Sequence, residues 1–208
     1  MEGLTGPSEP LLIADKNPNP PRWAAHLLPH PEHTPLAPAL LRTPPRRRAE
    51  AVAAQAEELL GETADDRLER AEIIRASLAA RGGAVITRDL DEAVALCNAY
   101  APEHLNLVVR DGWAWLSKIR NAGGVFLDED SCEVMGDYIA GPSHVMPTGG
   151  SARYASPLNV WDFVKIISLV GLNRPAVQQI SRLAERLALA EGLQAHALAA
   201  RLRKGEAA

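Results

Sequence analysis

Cysteine is scarce: Cys97 and Cys132 are the only two in 208 residues. That excludes a disulfide scaffold, and their spacing is not that of a redox C-x-x-C pair. No run approaches the ~18 apolar residues of a membrane span, and no charged segment followed by an apolar one opens the chain. Neither G-x-G-x-x-G nor G-x-x-x-x-G-K-[ST] occurs, so the sequence shows no recognisable nucleotide-phosphate cradle. Excess positive charge is missing too. With 22 Lys and Arg against 26 Asp and Glu the net charge is −4, which argues against a nucleic-acid platform and a polybasic membrane anchor. What is present, 47% hydrophobic and 23% charged residues, is ordinary globular composition. The expectation is a cytoplasmic protein of one or two domains.

Proline is unevenly spread, with eleven of the sixteen before residue 46. Each fixes φ and removes a donor, so long regular elements are not expected there. Pro10–Asp15 reads as a short buried strand, and a disordered leader is the alternative for this region. From Ala49 the pattern is clearer. Ala49–Leu60 and Asp66–Arg81 read as helices, the second leaving through Gly82-Gly83. Ala84–Thr87, Asn106–Val109 and Gly124–Leu127 read as strands. Between them, Leu90, Ala93, Val94, Cys97 and Tyr100 form one helical face behind the cap Asp89, and Gly112–Arg120 reads as a further helix. Strands alternating with helices imply an α/β fold with a parallel sheet. A polar, glycine-rich stretch without period runs from Leu127 to about Pro157. Trp161–Val170 reads as a buried helix running into a strand, and Asn173–Ala190 and Gln194–Lys204 as helices parted at Gly192.

Four places could carry chemistry. His30 and His33 stand one helical turn apart and could face one metal, although Pro31 lies between them. Glu103-His104 could serve as a general-base pair, or be a surface acid beside a satisfied histidine. The loop Gly136–Gly150 carries Asp137 and His144. An oxygen ligand with imidazoles suits Zn²⁺, and the lack of clustered carboxylates argues against a dedicated Ca²⁺ site. Glu191 and His196 flank the joint between the last two helices, where a surface role is the plainer reading.

Ala101-Pro-Glu-His-Leu105, Asn121-Ala-Gly-Gly124, the Gly136–Gly150 loop and Glu191–His196 together resemble the C-terminal half of histidinol dehydrogenase. Gly6-Pro-Ser-Glu9 followed by Leu11–Asp15 resembles a strand start found mid-chain in that family. The resemblance runs from about Gly6 to about Arg201. It implies an incomplete Rossmann-like domain over residues 1–170 and a helical tail over 171–208 that crosses to a partner in a homodimer. It also implies oxidation of L-histidinol through the aldehyde to L-histidine, with reduction of NAD⁺. Glu103 and His104 would be the acid–base pair. Zn²⁺ would be held by His30, His33, Asp137 and His196, with Ser8, His104, His144 and Glu191 joining the four ligands around the substrate. Three departures stand out. His30 replaces the family's glutamine ligand between two prolines, Thr43–Asp66 is hard to match, and family chains are about twice as long. The last suggests a truncated chain lacking much of the NAD site. The alternative is a non-catalytic zinc- or imidazole-binding remnant.

Overall fold

Five short apolar segments form one parallel sheet: β1 (Pro10–Ala14), β2 (Leu40–Thr43), β3 (Gly83–Ile86), β4 (His104–Val108) and β5 (Gly124–Leu127). Their order is β3-β2-β1-β4-β5, and each neighbouring pair runs parallel. The structure, a computed structural model, describes residues 6–15, 19–61 and 68–204. It comprises two compact units, Met1–Phe163 and Val164–Ala208.

The central strands are buried on both faces, as parallel sheets covered by helices require. Leu11 and Ile13 of β1 join Leu105 and Leu107 of β4, and pack with Ala93, Val94 and Cys97 of α5 (Leu90–Tyr100). Leu12 and Ala14 face the other way. They pack with Trp23, Ala24 and Leu27 of α1 (Pro20–Leu27) and Val52 of α3 (Arg46–Leu60). Each of the larger aliphatic side chains contributes roughly 1.5–3 kcal/mol on burial, and this two-sided core holds the sheet in place. The Asp89 cap forms as expected: its Oδ1 accepts from Glu92 N at 2.8 Å, and Glu92 Oε2 accepts from Arg88 N at 2.6 Å. The helix ends at Ala101 (φ 57°), just before Pro102.

In the proline-rich start the expected strand forms as β1, and the alternative of a disordered leader does not hold. Its described residues also form α1, α2 (Pro29–His33) and β2. Both helices open on proline, where a missing N–H costs no hydrogen bond and the fixed φ is already helical. Helix α4 (Ala71–Arg81) begins later than predicted, and residues 66 and 67 lie outside the described residues. Instead of one helix to Arg120, α6 (Gly112–Trp115) gives way to a 3₁₀ turn over Leu116–Lys118. Within the stretch that showed no period lies α7 (Glu133–Tyr138), six residues and too short to display one.

The expected buried helix and strand at Trp161–Val170 are absent. A 3₁₀ turn over Val160–Phe163 is followed by residues 164–173 without regular structure, and Ile166 and Leu169 are 81% and 94% exposed. Apolar composition says that a segment gains by burial, but not which surface will cover it. The second unit continues as α8 (Arg174–Ala190) and α9 (Gln194–Arg201), joined through Gly192 at φ 76°. Glu185 of α8 pairs with Arg201 and Lys204, tying the two together.

Candidate functional site

Strand β4 sets the site. Its alternation sends Leu105 and Leu107 into one core, while His104 and Asn106 point to the opposite face. These two polar side chains are almost fully buried, so they need partners. Helix α7 supplies them, with Glu133 and Asp137 one turn apart. Asn106 Nδ2 donates to Glu133 Oε2 at 2.8 Å, and His104 Nε2 lies 3.2 Å from Asp137 Oδ2. The other ring nitrogen, Nδ1, is 3.3 Å from Glu103 Oε2 but without the alignment of a hydrogen bond. His30 of α2 completes the cluster, its ring centroid 4.4 Å from that of His104. Phe126 of β5 stacks on His104 at 5.7 Å.

His104 is the first residue of β4 rather than a residue ahead of the strand as the sequence suggested. It pairs in register with Pro10, the first of β1, and Gly124, the first of β5. The cluster therefore sits at the amino ends of the strands. Backbone bonds fix this corner: His104 N donates to Glu9 O at 3.2 Å and Gly124 N to Glu103 O at 2.8 Å. Glu9 N in turn donates to Glu103 Oε2 at 3.3 Å. The next residue along, Gly123, has no room for a side chain, since a Cβ there would lie 2.6 Å from Glu103 O.

Burial works against a charged His104 and is the largest influence on it. The carboxylates of Glu103, Glu133 and Asp137 together outweigh it, holding the imidazole above its ordinary value. His26 of α1 shows the contrast. Burial dominates there and pushes it down, despite Glu133 and Glu129 nearby.

Of the residues expected at the site, His30, Glu103, His104 and Asp137 come together. Ser8 is half-buried just before Glu9, while His33 and His144 are exposed. Glu191 and His196 are exposed in the second unit. Among the described residues no three His, Cys, Asp or Glu side chains gather as a metal-holding group. Sequence reasoning missed Glu9, Asn106 and Glu133. The signal for the last two was readable: a polar residue alternating with leucines in a buried strand, and a second acid four residues before Asp137.

A cavity of about 620 Å³ lies elsewhere, at the carboxyl ends of the strands, lined by Asp15, Arg22, Arg48, Arg110 and Asp130 among others. It is the crevice where open α/β sheets often bind ligands. Here, however, Arg22 is paired with Asp130 and Glu129, and Arg48 Nη1 donates to the Asp15 carbonyl at 2.8 Å.

Fold and cluster together define an α/β protein of incomplete Rossmann type with a buried cluster of imidazoles and carboxylates at the amino ends of its strands. The chain belongs to the histidinol dehydrogenase family, whose model matches residues 1–204. It is 48% identical over 204 residues to histidinol dehydrogenase of Thermus thermophilus, covering 98% of this chain and 48% of that protein. Against the Deinococcus radiodurans enzyme it is 48% identical over 199 residues, covering 96% and 45% respectively. The crystal structure of histidinol dehydrogenase from Elizabethkingia anophelis superposes with a TM-score of 0.84 at 35% identity, over 96% of this chain and 45% of that one. The chain spans about half the length of the curated relatives it matches.

Proposed function

We propose that this chain carries the proton-transfer and substrate-anchoring part of a histidinol dehydrogenase, which oxidises L-histidinol through histidinaldehyde to L-histidine in histidine biosynthesis. The observation that carries this reading is the buried sequence Glu103–His104–Asp137 in a chain of that family. His104 takes the proton released by the alcohol. Acidic neighbours on both sides favour the imidazolium once it forms. Glu103, fixed by the Glu9 N–H, stabilises that imidazolium and takes the proton of the water that attacks the aldehyde. The reading as a non-catalytic remnant is not favoured, because the chain belongs to an enzyme family and keeps an acid beside the buried imidazole.

Zn²⁺ is part of the proposal, with His30, His33 and Asp137 from this chain and His196 from a second copy in a homodimer. His30 fits the role, because both of its ring nitrogens are buried without a hydrogen-bond partner and imidazoles with a carboxylate suit zinc. When bound, the metal supplies an anchor for the imidazole and amine of the substrate. NAD⁺ is the proposed hydride acceptor. No glycine-rich turn follows β1.

Glu103→Gln tests the assignment, since it keeps shape and hydrogen bonding but removes the base. With the family's amino-terminal half supplied as a separate chain, turnover is expected to fall by ~10²–10⁴. Histidinol affinity, measured by calorimetry, should change little. Full turnover by the variant would overturn the assignment.

A further inference from the structure

We propose that Glu133 is a positioning residue. Its carboxylate holds His30 as the Nε2–H tautomer, so that His30 binds the metal through Nδ1. The inference rests on the zinc reading above and deepens it.

The starting point is the replacement of an amide by an imidazole. An amide oxygen is always ready to bind a metal. A neutral imidazole binds only through the nitrogen that lacks the proton, so something must decide which nitrogen that is. Metal-binding histidines are usually oriented by a carboxylate or carbonyl at the other ring nitrogen, and an imidazole in the glutamine's place needs such a partner.

Glu133 is in position to provide it. Its side chain is 1% exposed, and its Oε2 is occupied by Asn106 Nδ2 at 2.8 Å. Its Oε1 has no hydrogen-bond partner and lies 3.4 Å from His30 Nε2, close but not yet aligned. A buried carboxylate oxygen can only accept, so the hydrogen belongs on Nε2. That leaves the Nδ1 lone pair, on an atom that is also buried and unpartnered. An orphaned nitrogen in a side chain 6% exposed is costly unless a ligand takes it.

The surrounding residues agree with this division of labour. Helix α2 carries His30 with His33 three residues on, and α7 carries Glu133 with Asp137 four residues on. Each helix therefore contributes one member of the positioning pair and one further expected ligand. Asn106, itself 1% exposed, locks Glu133 to the sheet, so the chain of contacts runs from β4 through Glu133 to His30. The charge of Glu133 also reaches His26 and His104, but the approach to a ring nitrogen is to His30.

The test uses the 208-residue chain with zinc as the probe. Zinc affinity is measured by competition with a chromophoric chelator in the native chain, Glu133→Gln, Glu133→Ala, His30→Gln and the double variant His30→Gln/Glu133→Ala. Either change at Glu133 should weaken zinc about 10–100-fold in the native background. With His30→Gln no tautomer needs fixing, so Glu133→Ala should then cost little. In the zinc-free chain, ¹⁵N spectra of His30 should show the Nε2–H tautomer, and Glu133→Gln should disturb it. Glu133→Gln can still accept from Asn106, so it decides the matter if Glu133→Ala fails to fold. An equal loss of zinc with and without His30, or an Nδ1–H tautomer in the native chain, overturns the inference. Zinc binding indifferent to Glu133 overturns it while leaving the metal reading intact, whereas a native chain that binds no zinc overturns both.

Discussion

Glu9 illustrates how single groups in this molecule trade stability for placement. Its carboxyl is held above the ordinary value, first by burial and also by the negative charge of Glu103. The N–H groups of Gly149 and Gly150 and the charge of Arg153 pull in the opposite direction, without cancelling the shift. Gly149 N donates to Glu9 Oε2 at 3.0 Å, so the residue ties the glycine-rich loop to the start of β1. The sign of its linkage follows. A raised folded value means that the contribution of Glu9 is fully present below its unfolded value of about 4.5 and is lost as pH rises through the higher folded one. Glu9→Gln keeps an acceptor for Gly149 and removes the ionisation. The variant should show a flatter urea midpoint against pH from about 4.5 upward, and equal or greater stability at neutral pH. An unchanged pH dependence would show that Glu9 ionises without cost.

At the scale of elements, helix α7 decides whether the buried cluster around His104 exists at all. It brings Glu133 and Asp137 to β4 only because Gly136, between them, has no side chain. A Cβ there would lie 2.4 Å from Phe126 Cε1, and the Phe126 ring stacks on His104. Gly136→Ala should therefore push the ring or the helix away, costing ~1–3 kcal/mol as overpacked sites do. It should also shift the His104 resonances. Adding Phe126→Leu, which shortens the opposing side chain, should recover part of that loss. Denaturation of the single and double variants measures both effects, and additive losses would mean that the two positions do not meet.

At the scale of the whole molecule, the second unit exposes much apolar surface. Ile166, Leu169 and Val170 are at least 80% exposed, and Leu183 and Leu187 of α8 are 60% and 63% exposed. That much apolar surface in one short unit favours association. In the proposed homodimer it is covered, and the tail delivers His196 to the site of the partner. Sedimentation of the chain at micromolar concentration should show a dimer. Ile166→Lys together with Leu169→Lys should shift it toward monomer and lower zinc affinity in parallel. A monomeric chain with normal zinc affinity would contradict the shared site.

Local chemistry alone determined a large part of this protein. The strands β1, β3, β4 and β5 were legible because short apolar runs between turn-formers have few other uses, and α5 because its cap and apolar face repeat at helical spacing. Glu103, His104 and Asp137 were legible as candidates from residue type and resemblance. Tertiary structure decided the rest. Prolines became helix starts at α1 and α2 because neighbouring elements gave those helices something to pack on, which no local rule contains. Only the parallel register of β1, β4 and β5 places His104 at the amino end of the sheet, and only the packing of α2 and α7 brings His30, Glu133 and Asp137 to it. The apolar run after Trp161 shows the limit most plainly. Hydrophobicity is a property of a segment, whereas burial is a relation between surfaces, and the surface that covers this segment is not written in the segment itself.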